Sequence, residues 1–175
     1  MKRAILLLSA LLTLGALRAR SETFMLLVEE LRDGSAAGRP LASEEGIMAR
    51  MFELGQVTFD SGPYTPQADW NRLEFQEPLE LAREGRAHYL AAIRIHSQTL
   101  GSVSAAEGPA QRSFAQIRAQ ARYYLWSAPS GKLLWSGESA LDNLGREREL
   151  PYEPLLFQLG DLLARELVRL AAVGL

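Results

Sequence analysis

The segment from residue 113 to residue 127 constrains the fold of this chain more than any other. Small or apolar side chains alternate there with polar or aromatic ones, which is the period of a β-strand with two different faces. Turn residues follow at 128–132, where Gly131 can adopt a positive φ, and a second strand is predicted over 132–139. The sequence therefore predicts a β-hairpin. One face of its first strand carries Ala115, Ile117, Ala119, Ala121, Tyr123 and Leu125, and the other carries Gln116, Arg118, Gln120, Arg122, Tyr124 and Trp126.

The remaining elements are predicted in the order strand, helix, strand, helix, strand before the hairpin, and helix after it. Strands are predicted over 23–31, 56–60 and 87–98, and loops over 32–40, 61–76 and 99–110. Ser43 is predicted to be the N-cap of the first helix, and Pro78 suits the start of the second. This order indicates an α/β (α+β) fold, in which a mixed β-sheet with a C-terminal hairpin is covered by two or three helices.

The final helix is predicted to run from Pro151 and Pro154 to about Val173. Its polar face mixes acidic and basic residues and is not rich in lysine, so packing against the sheet is favoured over a membrane-surface role. The predicted apolar stripe consists of Leu155, Leu159, Leu162, Leu163, Leu167 and Leu170.

Residues 1–19 have the features of a secretory signal peptide. Lys2 and Arg3 precede a short apolar run that is followed by small residues, and the run is shorter than the 20 or so residues of a membrane-spanning helix. Cleavage is predicted after Ala19, with cleavage after Ala16 or an uncleaved membrane anchor as alternatives. Residues 20–175 are then a single periplasmic domain with no stable membrane span.

Composition excludes several classes of function. The chain has no cysteine, which excludes a disulfide framework, a thiolate metal site, a cysteine nucleophile and a lipid-modified N-terminal cysteine. Loss of Lys2, Arg3 and Arg18 with the signal peptide changes the formal net charge from −2 to −5. This acidity gives no support to nucleic-acid binding, which requires a concentrated basic face.

A search for catalytic motifs gives no catalytic, cofactor-binding or metal-binding residues. His88 and His96, the two histidines, project from the same side of one predicted strand, roughly 26 Å apart, so they cannot share a metal or a proton. No nucleophile elbow, HExxH motif or phosphate-binding loop occurs. The protein is therefore predicted not to be an enzyme and to need no cofactor, although a carboxylate pair assembled from distant residues stays open.

Four aromatic residues are the predicted partner-binding positions: Trp70 in the long loop, Tyr124 and Trp126 on the polar face of the hairpin, and Trp135 in the facing strand. Trp and Tyr dominate the energetics of protein interfaces, so an exposed patch would anchor a partner. The alternative interpretation is that the hairpin aromatics pack beneath the last helix, because a mixed sheet has two faces to cover.

The segments GRAHYLAAIRI (85–95) and RYYLWSAPSGKLLWSGES (122–139) resemble a recurring pattern of small periplasmic α/β domains. These domains are shared by the curli-secretion channel subunit, the penicillin-binding-protein activator lipoproteins and the N-terminal domain of TolB. Their hairpin signature is Leu-x-Asp-x-x-Thr-Gly-x-x-Leu-Trp-Ser-Gly. Ser127 stands here in place of Asp, and Ser130 in place of Thr. The matching residues are Leu125, Ser130, Gly131, Leu134, Trp135, Ser136 and Gly137.

The resemblance implies a non-enzymatic, exported adaptor domain that binds an envelope protein during cell-envelope assembly, and it is compatible with an oligomer. The chain differs from the lipoprotein members of this group because it has no cysteine. A small-molecule or glycan-binding periplasmic module that uses the same aromatic residues is the alternative, and a hydrolase is a third hypothesis.

Overall fold

The computed structural model of the chain describes residues 21–36, 41–61, 75–107, 110–144 and 151–173. The predicted signal peptide and Trp70 lie outside the described residues. The strands and helices are β1 (Thr23–Arg32), β2 (Ser35–Ala36), α1 (Leu41–Glu53), β3 (Val57–Asp60), α2 (Gln76–Glu84), β4 (Tyr89–Glu107), β5 (Ala110–Ser127), β6 (Lys132–Asp142) and α3 (Tyr152–Val173).

The strands form one mixed sheet of six strands, in the order β2-β1-β4-β5-β6, with β3 beside β1. Strand β1 runs parallel to β3 and β4, and the other pairs are antiparallel. The predicted fold class, the C-terminal hairpin and the long final helix are confirmed.

Three local predictions are wrong. Residues 99–107 and residue 110 are not a loop, because β4 and β5 continue to pair with each other until Glu107 faces Ala110, and Gly101 (φ 151°) lies at a bulge. This pairing satisfies backbone groups, so small side chains do not interrupt it. Ser43 is not an N-cap, since α1 begins two residues earlier and buries Ser43 against α3. The short strand β2 lies within a predicted loop, where it pairs with the end of β1.

Helices α1 and α3 cover one face of the sheet. Apolar residues from both helices pack on alternate residues of β1, β4 and β5 in the larger core cluster, which confirms that the apolar stripe of α3 packs on the sheet. Leu162 is an exception to the predicted stripe, as it is 44% exposed. No helix of the described chain has the length and apolar character needed to cross a bilayer.

Helix α2 packs against the opposite face, where it covers one end. A smaller core cluster forms there from α2, the beginnings of β1 and β4, and the end of β5. Arg83 of α2 donates from Nε to the carbonyl oxygen of Ala128, 2.8 Å away, and so fixes the helix to the turn between β5 and β6. Beyond this end, no described helix packs on the second face.

Candidate functional site

The register of β1, β4, β5 and β6 arranges the second face in rows of side chains that run across the strands. Under α2, Met25, Leu90, Trp126 and Leu133 form an apolar row, followed by a row of Leu27, Ala92, Tyr124 and Ser136. The charged row comes next and consists of Glu29, Arg94, Arg122 and Glu138. The row after it contains Leu31, His96, Gln120 and Ala140, and we call it the polar row after its two central side chains, His96 and Gln120. We call the charged and polar rows together the open face.

The charged row carries its charges in the order negative, positive, positive, negative. Arg94 Nε donates to Glu29 Oε2 at 2.6 Å. On the other side, Arg122 donates to Glu138 Oε1 from Nη2 at 2.7 Å and from Nε at 2.9 Å. Arg94 and Arg122 face each other directly in the ladder. Each outer carboxylate therefore neutralises one of two adjacent arginines.

The guanidinium of Arg122 is charged at any physiological pH. The bond to Glu138 raises the pKa of Arg122 above its usual value, and the interaction with Tyr124 adds to the shift. The charge is nonetheless accessible, because 56% of the Arg122 side chain is exposed. Arg94 and Glu29 lie deeper, each with 20% of its side chain exposed.

A concave groove of about 530 Å³ lies over the open face. Its polar lining residues include Arg94, His96, Gln120, Arg122, Tyr124 and Glu138. The lining brings together cationic, amide, imidazole and phenol groups on three adjacent strands. Such groups recognise a polar or anionic ligand by hydrogen bonding and charge.

Tyr124 and Trp126 lie on the face of the sheet against which α2 packs. The ring centroid of Phe75 lies 6.1 Å from that of Tyr124 and 5.7 Å from that of Trp126. The interpretation that these two residues pack beneath the last helix is therefore wrong. Because side chains alternate along β5, Tyr123 and Leu125 are the residues that pack on the side of α3. Tyr124 is half-buried and lines the groove, whereas Trp126 is 9% exposed and its Nε1 has no hydrogen-bond acceptor among the described residues.

Trp135 is 39% exposed, but it does not join Tyr124. A β-bulge changes the register of β5 and β6 between Leu125 and Trp126, so that Trp135 lies opposite Leu125. Directly opposed residues share a face of the sheet, which places Trp135 on the side of α3. Without the extra residue in β6, Leu134, the register from Ser127 and Lys132 would set Trp135 opposite Tyr124.

The charged row is the part of the site that sequence reasoning missed. The predicted alternation placed Arg122 on the polar face of its strand, and both Arg94 and Arg122 lie on the open face. Their carboxylate partners come from two other strands, so only the strand order and register reveal the row. His96 also lines the groove, whereas His88 accepts a hydrogen bond from the backbone N–H of Thr23 at 2.9 Å.

No protein-family model matches the sequence, and no curated protein is significantly similar to it. Solved structures do match. The PelC dodecamer from Paraburkholderia phytofirmans has 14% identity and a TM-score of 0.43, over 86% of each chain. TolB from Acinetobacter baumannii has 10% identity and a TM-score of 0.44, over 88% of this chain and 29% of TolB.

The LpoB C-terminal domain from Salmonella enterica has 14% identity and a TM-score of 0.35, over 69% of this chain and 82% of that domain. The predicted resemblance is confirmed. TolB and LpoB are among the matched structures. A likeness of this degree assigns no function to the chain.

Proposed function

We propose that this chain is a non-enzymatic, exported protein of the cell envelope that acts as a protein-interaction or adaptor domain, and that its open face contacts the partner. In this proposal residues 1–19 are a cleaved signal peptide and residues 20–175 are one periplasmic domain. The observation that carries the proposal is the unequal covering of the sheet by the described helices: α1 and α3 pack on one face, while α2 packs on one end of the other.

Paired strands hold the open face, so its backbone needs little ordering when a partner binds. Backbone hydrogen bonds between paired strands fix β4 and β5 along their length, and the exposed side chains of the open face include arginine and glutamine. Arginine and tyrosine are enriched at protein interfaces relative to the remaining surface. Tyr124, at the wall of the groove, is the aromatic contact that we assign to the partner. Trp70, Trp126 and Trp135 were also predicted, and Trp126 is held mainly by the core.

Site-specific photocrosslinking in living cells tests the proposal. A photoreactive amino acid at Gln120, exposed within the polar row, is expected to form an adduct with one envelope protein. The same amino acid at Arg165, exposed on α3, is the matched control and is expected to form none. Tyr124→Ala should weaken the Gln120 adduct while the protein stays folded. Equal adducts at both positions, or none at Gln120, would contradict the proposal.

Mass spectrometry of the N-terminus distinguishes cleavage after Ala19 from an uncleaved anchor.

The groove supports a second candidate, a periplasmic module that binds a small polar molecule or glycan. Its volume of about 530 Å³ lies in the usual range of small-molecule sites, about 300–1,000 Å³. Trp126 packs beside Tyr124 in the smaller core cluster, so titration with soluble cell-wall fragments should give a saturable change in tryptophan fluorescence. A linear or absent response would exclude this candidate for those fragments.

The open face offers little support for the hydrolase hypothesis. Its two carboxylates, Glu29 and Glu138, are each bonded to an arginine. Their backbones are three strand spacings apart, roughly 14 Å, whereas the carboxyl groups of glycosidase pairs lie about 5–9.5 Å apart.

A further inference from the structure

We propose that Arg94 and Arg122 together bind a carboxylate group from an acidic segment of the partner protein. This inference rests on the proposed function and specifies the chemistry that its surface recognises.

The first argument is the arrangement of charge. Like charges directly opposite each other on adjacent strands destabilise a sheet, yet the two arginines face each other at the centre of the charged row. The carboxylates that bind them lie on the outer strands β1 and β6. An anion placed between the arginines would offset their mutual repulsion, and an acidic side chain can reach this position from above the sheet.

The second argument concerns the donors of Arg122. A guanidinium has five N–H donors in a planar fork. In Arg122 the two bonds to Glu138 converge on a single oxygen, Oε1, and Tyr124 is a further hydrogen-bond partner. A carboxylate with two oxygens matches the spacing of that fork and bonds more strongly than a neutral acceptor. More than half of the Arg122 side chain is exposed, so an incoming carboxylate can compete with Glu138.

The third argument is charge complementarity within the groove. Two arginines and one glutamate line it, together with the neutral donors of Gln120 and Tyr124. The lining therefore has one more positive than negative formal charge, because Glu29, the partner of Arg94, is not among the lining residues. This occurs in a chain with a formal net charge of −2. The groove runs across paired strands on an accessible face, which suits a side chain presented by another protein.

Fluorescence anisotropy with a fluorescein-labelled hexaglutamate peptide tests the inference on the protein purified from the cell envelope. Arg122→Gln should weaken binding roughly fivefold, the effect of losing one favourable exposed ion pair. Glu138→Gln should strengthen binding severalfold, because it removes the competing carboxylate. The matched control is Arg165→Gln, which makes the same charge change at a side chain that is 57% exposed on the opposite layer, and it should have no effect. Hexaglutamine should not bind.

Several results would overturn the inference. One is an equal loss of peptide affinity in Arg122→Gln and Arg165→Gln. Another is weaker peptide binding in Glu138→Gln. A third is displacement of the peptide by inorganic phosphate at an equal concentration of anionic groups. Circular dichroism must show that the variants are folded. If the Gln120 crosslink persists at full yield in Arg122→Gln, the inference fails while the adaptor function stands. If the variants change peptide binding as expected but Gln120 captures no protein, the adaptor function fails and the anion site stands.

Discussion

The contact between α1 and α3 gives the sharpest prediction about stability. Both helices have a glycine at their crossing, Gly46 and Gly160. A Cβ atom at Gly160 would lie 3.0 Å from the backbone nitrogen of Ile47 and 3.2 Å from the carbonyl carbon of Gly46, and closer still to the carbonyl oxygen of Ser43. All three neighbours are backbone atoms, so no side chain can rotate away. In Gly160→Ala the helices must therefore separate.

The expected magnitude follows from two opposing terms. Alanine favours a helix interior over glycine by about 1 kcal/mol. Overpacking a well-packed core costs about 1–3 kcal/mol, and separation also weakens contacts of fully buried residues such as Ile47 and Leu159. Because the overlapping atoms all belong to the backbone, we take the upper end of the cost, about 3 kcal/mol, and expect Gly160→Ala to lower the free energy of unfolding by about 2 kcal/mol. In a domain of this size, that corresponds to a fall in Tm of about 4–8 °C.

Urea and thermal unfolding followed by circular dichroism would measure this loss. Gln158→Ala, an exposed position on the same helix, is the control and should change stability by less than about 0.5 kcal/mol. A Cβ at Gly46 would overlap the backbone of Phe157, so Gly46→Ala should show a similar loss. One separation relieves both overlaps, and the double variant should lose less than the sum. An unchanged or increased stability of Gly160→Ala would refute this account of the helix crossing.

Two further predictions concern buried polar groups. Burial raises the pKa of Glu30, which is 3% exposed, so its folded-state carboxyl binds a proton more readily than the unfolded one. The resulting stability is present at pH below the ordinary value of 4.5 and is lost as the pH rises through the raised pKa. Glu30→Gln should therefore be more stable than the native protein at pH 7 and equally stable near pH 4, as measured by urea unfolding. Asn143 accepts from the N–H of Ile117 at 2.7 Å and donates to the carbonyl of Ala115 at 2.9 Å, and Asn143→Ala should cost about 1–3 kcal/mol in the same assay.

Local pattern predicted much of this fold because its strands and helices have a regular period. Along β5, Ile117 to Leu125 alternate into the larger core as predicted, and the stripe from Leu155 to Leu170 was correct except at Leu162. The extension of β4 to Glu107 could not be predicted in this way. Its residues are small and polar with no clear alternation, and they form a strand because β5 supplies backbone partners.

The aromatic patch shows how one residue can change a predicted surface. The predicted alternation along β5 was correct, but whether Tyr124 and Trp135 meet depends on the register between β5 and β6. One bulge at the hairpin shifts β6 by a single residue, and a shift of one residue moves a side chain to the opposite face. No signal in the sequence near residues 133–135 distinguishes the bulged hairpin from a regular one.

The charged row depends on contacts between residues that are far apart in the sequence. Glu29, Arg94, Arg122 and Glu138 come from four strands, and three independent registers must be correct before they fall into line. Each residue alone is an ordinary charged side chain on an outward-facing strand position.

The hydrophobic effect explains why α1 and α3 cover the opposite face, since on that face the side chains of these strands are apolar along most of the paired length. On the second face, the buried apolar cluster ends where α2 ends and the charged row follows it, so the boundary of the core also defines the boundary of the open face. The same alternation that builds the core therefore places the two arginines side by side on a rigid, accessible surface.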